Sequence, residues 1–180
     1  MKINYYFPLV ALLMVVFASS CLTSTEDPAE TYAAWKAQNE TYFANMKDSV
    51  GFVSVTIPAN RGGGIYYSKI VTADTGASPL YTDSVIVHYQ GRLISWTMFD
   101  ATYVGASPVW QNREDPRSFK VNQLVKGWTE ALMQMKVGEK RRIVLPWNLG
   151  YGPGGSGSIS PYSTLIFDIQ LVSFSSPKSN

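Results

Sequence analysis

The sequence predicts an α+β domain, an antiparallel β-sheet with one helix laid across a face. Three observations lead there. Four short runs rich in β-branched and aromatic residues, 64–71 (GIYYSKIV), 84–93 (SVIVHYQGRL), 140–147 (KRRIVLPW) and 163–174 (STLIFDIQLVSF), are bounded by Gly, Pro, Asp or Ser and read as strands. Among them, 124–142 (LVKGWTEALMQMKVGEKRR) is the one clear stretch with helical spacing. Hydrophobic residues make up 46% of the 180 and charged residues 16%, enough apolar material for one sizeable core.

The chain opens with MKINYYFPLVALLMVVFASSC, in which Lys2 precedes an apolar run from Leu9 to Ala18, then small residues, then the sole cysteine, Cys21. The run is short for a membrane span and has the pattern of a secretory signal over 1–20. It resembles a bacterial lipoprotein signal, in which the cysteine after the small residues is lipidated and becomes the new N-terminus. That resemblance implies lipidation of Cys21 and attachment to a bacterial membrane. An unmodified thiol is the alternative, and a lone cysteine forms no internal disulfide.

Residues 21–63 are expected to form a tether and an N-terminal helical segment. From Asp27 to Asp48, Pro28 suits a helix first turn, and Tyr32, Trp35, Asn39, Tyr42, Phe43 and Met46 form a mostly apolar face. Whether this helix packs on its own domain or pairs with another copy is left open by the sequence. IPANRGGGI lacks the Lys-Ser/Thr of a phosphate loop and reads as a connector. The main domain is expected over 64–175, followed by a tail at 176–180. In 124–142, Trp128, Ala131, Leu132 and Met135 share one helix face, and Gly138 stands where the helix would stop.

Net charge is +2, and +1 without residues 1–20, which offers no basic field for nucleic acid. One histidine and one cysteine, far apart in sequence, supply no clustered transition-metal ligands. His88 lies in VIVHYQG with period-two neighbours and reads as a hydrogen-bonded strand residue rather than a triad base, and no G-x-S-x-G elbow occurs. Glu114 and Asp115 read as solvated loop acids. What remains is an excess of aromatic residues, Tyr89, Phe99, Phe119, Trp128, Tyr151 and Phe167, in or beside strands and turns.

Three blocks, VIVHYQGRLISWTMFDAT, LVKGWTEALMQMKVGEKRRIVLPWNLGYG and ISPYSTLIFDIQLVSF, resemble in order the signature blocks of FKBP-type peptidyl-prolyl cis–trans isomerases. The resemblance spans roughly residues 65–174. It implies a strongly bent antiparallel sheet wrapped around a short helix, with an apolar cup that takes the proline ring. By position it implies Asp100, Tyr151 and Tyr89 as the catalytic polar groups, and a cup of Phe99, Phe119, Leu124, Val125, Trp128, Ile159 and Phe167, with Trp128 as floor. Asp100 would face the twisting carbonyl carbon or hold Tyr89, and both roles stay open. The implied activity is isomerisation of X-Pro bonds in exported proteins, with no cofactor and no metal. The alternative is a weakly catalytic module that binds proline-containing or unfolded segments. Implied partners are proline-containing polypeptides, the family's macrolide inhibitors and a membrane, with oligomeric state open.

Several positions depart from the pattern. Trp96 occupies a turn position where glycine is usual, and Ala101-Thr102 replace two serines after Asp100. The segment VGASPVWQNREDPRS is longer than a minimal loop, and Ser160 stands where proline is usual.

Overall fold

The structure is a computed structural model that describes residues 28–73, 75–104, 111–113 and 115–177. The signal segment, Cys21 and Glu114 lie outside the described residues. The strands are β1 (Val53–Thr56), β2 (Gly64–Val71), β3 (Ser84–Leu93), β4 (Met98–Ala101), β5 (Tyr103–Val104), β6 (Gln111–Arg113), β7 (Arg117–Lys120), β8 (Lys140–Leu145) and β9 (Leu165–Ser175). The α-helices are α1 (Pro28–Thr31), α2 (Ala33–Asn45) and α3 (Lys126–Leu132). Seven strands form one sheet in the order β1-β2-β8-β9-β3-β4, and β7 pairs with the other half of β3. Every described pairing is antiparallel.

Alternation along β3 shows how the sheet is covered. Val85, Val87 and Tyr89 point to the face under α3, where they join Trp128, Ala131, Leu132 and Met135 in one apolar cluster. His88 and Gln90 point to the opposite face, and His88 Nδ1 lies 3.2 Å from Thr102 Oγ1. The central strands β8 and β9 are buried on both faces. Ile143, Leu145, Phe167 and Ile169 pack under α3, while Val144 and Ile166 meet Met46 from the N-terminal segment. This double burial accounts for their near-continuous apolar reading.

Helix α3 is shorter than the sequence spacing implied. It ends at Leu132, and Met135 and Gly138 belong to the turns that follow, with Gly138 at φ 87°. Met135 is still buried, because those turns fold it back under the helix. A side chain at Gly127 would come within 2.5 Å of Leu145, so the missing Cβ is what lets the first turn of α3 approach β8.

The sheet also begins earlier than expected. The strand β1, unread in the sequence, pairs with β2 ahead of the expected boundary at residue 64. The stretch expected as a flexible connector, IPANRGGGI, contains a short 3₁₀ turn at Ala59–Arg61, with Ile57 buried. Helix α2 packs on its own domain. Asn39 is fully buried, its Oδ1 accepts from Thr164 N at 2.7 Å, and its carbonyl accepts from Thr164 Oγ1 at 3.0 Å. Trp35 Nε1 donates to Ser163 Oγ, and Trp147 Nε1 donates to Glu40 Oε1. The β3–β4 turn places Trp96 at φ 65°, the region glycine prefers. Two guanidiniums, Arg92 at 5.8 Å and Arg142 at 5.4 Å from the ring centroid, stack on this indole and offset part of the backbone strain.

Candidate active site

Where the sheet curls over the start of α3, a cavity of about 280 Å³ opens between them. Strand β3 supplies Tyr89, β4 supplies Phe99 and Asp100, β7 supplies Phe119 and β9 supplies Phe167. Leu124 and Val125 come from the turn that leads into α3, Trp128 from its first turn, and Tyr151 from the loop after β8. Ile159 does not line the cavity. It is bridged to Ser156 by two backbone hydrogen bonds and packs in the apolar cluster.

Trp128 is the hub. Its ring meets Tyr89 at 5.1 Å, Phe167 at 5.1 Å and Phe119 at 6.1 Å, all edge-to-face. Phe99 and Phe167 meet edge-to-face at 5.5 Å. These arrangements suit aromatic quadrupoles and hold the walls rigid. Gly91 makes the Phe99–Phe167 contact feasible, since a Cβ there would lie 2.6 Å from one ring and 2.7 Å from the other. In the register Gly91 sits between Asp100 on β4 and Phe167 on β9.

The polar side of the cup is a connected set. The Tyr89 hydroxyl donates a short hydrogen bond to Asp100 Oδ2. Arg117 Nη1 donates to the Tyr89 oxygen at 2.7 Å and reaches Asp100 Oδ1 at 3.1 Å. The Arg117 guanidinium also lies over the Tyr89 ring at 5.6 Å. Asp100 and Arg117 are both 44% exposed, so their ion pair contributes little stability and chiefly fixes geometry. Burial, then the Asp100 hydrogen bond and charge, push the Tyr89 phenol well above its ordinary range. Burial, then the Asp100 charge, raise Tyr151 as well. Both hydroxyls therefore remain protonated donors at neutral pH. Behind this set, Thr102 Oγ1 accepts from Tyr89 N at 2.9 Å and anchors β3 at the cup.

Two residues here escaped the sequence reading, Arg117 and the wall residue Gln123. Arg117 sat inside the long loop expected before Phe119. Its signal was spacing: in a strand, residues two apart share a face, which puts Arg117 beside Phe119. Among the described residues no group of three or more His, Cys, Asp or Glu could hold a metal ion.

Residues 76–172 match the family described as FKBP-type peptidyl-prolyl cis–trans isomerase. The chain is 33% identical over 177 residues to the macrophage infectivity potentiator of Trypanosoma cruzi, covering 94% of this chain and 84% of that protein. It is 38% identical over 139 residues to the outer membrane protein MIP of Legionella longbeachae, covering 77% of this chain and 53% of that protein. Against that relative the chain therefore spans about half the length. Among solved structures, FkpA from Escherichia coli superposes with a TM-score of 0.67 at 32% identity, covering 82% of this chain and 62% of that one.

Proposed function

Because the chain belongs to the FKBP-type peptidyl-prolyl cis–trans isomerase family, we propose that it isomerises X-Pro bonds of exported proteins in the cup floored by Trp128. An X-Pro amide prefers trans by only about 0.5–1 kcal/mol, yet its rotation barrier is roughly 18–20 kcal/mol. The barrier is amide resonance, which places partial negative charge on oxygen and vanishes as the C–N bond twists. The twisted amide is the less polar species, so a dry aromatic cup that strips water from the planar form lowers the barrier. Phe99, Phe119, Trp128 and Phe167 supply the dry walls, with Leu124 and Val125 closing one side. The Tyr151 hydroxyl donates to a substrate carbonyl and orients it. Asp100 holds Tyr89 and turns a carboxylate toward the twisting amide, with Arg117 setting the angle of both.

The observation that carries this reading is the convergence of Tyr89, Asp100 and Tyr151 on one aromatic cavity. The test is the exchange rate of an X-Pro bond in short peptides with the purified protein. Acceleration is expected at micromolar protein. Asp100→Ala and Tyr151→Phe should each lower kcat/KM by roughly three- to tenfold, the worth of about one hydrogen bond, with circular dichroism unchanged. A folded protein that accelerates nothing would overturn isomerisation, and persistent binding of an unfolded client would then favour the binding-module reading.

Export and a lipid anchor at Cys21 belong to the same proposal. They are supported by the signal-like segment and by a relative whose name places it in an outer membrane. Labelled palmitate should enter the chain in bacteria and fail to enter Cys21→Ser; equal labelling of both would sink the anchor.

A further inference from the structure

Leu124 borders more than the cup. One further cavity, of about 370 Å³, is lined by Leu124, Asn122, Lys126 and Glu130 around the entry to α3, with Asn60 and Arg61 facing them from the β1–β2 connection. Another, of about 420 Å³, is lined by Leu124, Gln123, Phe119 and Lys120. Leu124 is common to all three cavities, and Phe119 and Gln123 are shared by the cup and the second. A polypeptide whose proline ring sits in the cup therefore has two hollows beside it, both bordered by Leu124, along which its flanking residues can leave.

The charge along these exits is one-sided. Glu130 is taken by Arg61 at 2.8 Å, and Asp100 is taken by Arg117. Lys120 and Lys126 are exposed and have no carboxylate partner among the described residues. The uncompensated charge beside Leu124 is thus that of two lysines, one in each exit. Asn60 and Asn122 add carboxamides, which can donate to and accept from a peptide backbone.

We infer that Lys120 and Lys126 make the exits at Leu124 a subsite for a carboxylate side chain of the client, selecting proline segments with an Asp or Glu nearby. An extended chain advances about 3.3 Å per residue, so the first few residues flanking a proline held in the cup are the ones that pass Leu124 and the lysines beside it. The inference rests on the isomerase reading of the cup and deepens it. The attraction acts on a segment already held by its proline ring, so it appears in KM more than in kcat. Both lysines are solvated, so salt screens it.

The test uses the full chain and octapeptides with one proline and neutral flanks, in which Glu, Gln or Lys is placed in turn at each flanking position. At low ionic strength, Glu should exceed Lys in kcat/KM by roughly three- to tenfold at one or two positions on one side of the proline, mainly through KM. The ratio should collapse toward one at about 0.5 M salt. Lys126→Gln should shrink it, and Lys120→Glu with Lys126→Glu should invert it. Equal acceleration of every peptide, or a Glu preference that survives double charge reversal in a folded variant, overturns this inference and leaves the isomerase reading intact. Acceleration of no peptide overturns both.

Discussion

Replacing Trp128 with alanine should cost about 3–5 kcal/mol of folding stability and remove most isomerase activity from the fraction that still folds. Trp128 is 4% exposed and touches three aromatic rings, one from each of β3, β7 and β9. Its removal opens a void at the junction of helix and sheet, and the rigid rings around it cannot collapse to fill it. Under the proposed function the same void also erases the cup floor, and a proline ring held there would lose the surface beneath it. Trp128→Phe separates the two effects. Among the described residues the buried indole Nε1 has no hydrogen-bond partner, so phenylalanine sacrifices volume but no hydrogen bond. It should fold with a loss of roughly 1–2 kcal/mol, within the range of modest core changes. Chemical denaturation of both variants, with kcat/KM corrected for the folded fraction, checks the expectation. A Trp128→Ala protein with native stability would show that the indole is no hub, and one with native kcat/KM that it is no floor.

The parts of this site that were legible in the sequence share a cause. Tyr89 and Phe167 lie on strands announced by runs of β-branched and aromatic residues, Trp128 lies in the one stretch with helical period, and Phe99, on the unread strand β4, was implied only by the family resemblance. The parts that were not legible depend on contacts between distant residues. Gly127 allows a close approach or a helix entry by its position alone, and only the fold shows that Leu145 is what comes against it. Asn39 is a polar residue on an apolar face, and only Thr164 explains why it is buried there. Strand β1 has three exposed positions in four, so its pattern resembles a loop. Arg117 lay in a segment too rich in Pro and polar residues to read as a strand. Its partners Tyr89 and Asp100 come from two other strands. Ile159 is the converse case, a residue whose family position implied a cavity wall and which the fold places in the apolar cluster, bridged to Ser156, and outside the lining of the cavity. Periodicity reports which face is buried, whereas it is silent on what the buried face meets.

Removing the charge of Glu139 is expected to be as damaging as removing Trp128, far from any substrate contact. Glu139 is 1% exposed and accepts a bidentate pair from Arg141, Nε to Oε1 at 2.9 Å and Nη2 to Oε2 at 2.9 Å. Its Oε2 also accepts from Lys136 N at 3.0 Å, and Lys69 Nζ lies 3.6 Å from Oε1. Arg141 Nη2 in turn donates to Gln134 O at 2.6 Å, so the pair ties the turns after α3 to the start of β8. Glu139→Gln leaves the buried Arg141 uncompensated, and about 3–5 kcal/mol should be lost. Burial alone would push the Glu139 carboxyl up; the Arg141 and Lys136 hydrogen bonds and the nearby cations outweigh it, and the folded value lies below the ordinary 4.5. The stabilisation is therefore fully present above the unfolded-state value and lost as pH falls through the folded one. Stability of the native protein should drop as acid is added below about pH 4.5, and Glu139→Gln should show a shallower drop over the same window. The double replacement Glu139→Met with Arg141→Met takes out both charges and should cost less than Glu139→Gln alone. Denaturation midpoints from pH 7 to pH 3 for the three proteins check this. A double variant weaker than the single one would mean that the pair, and not the avoidance of a lone buried charge, is what holds α3 against the sheet.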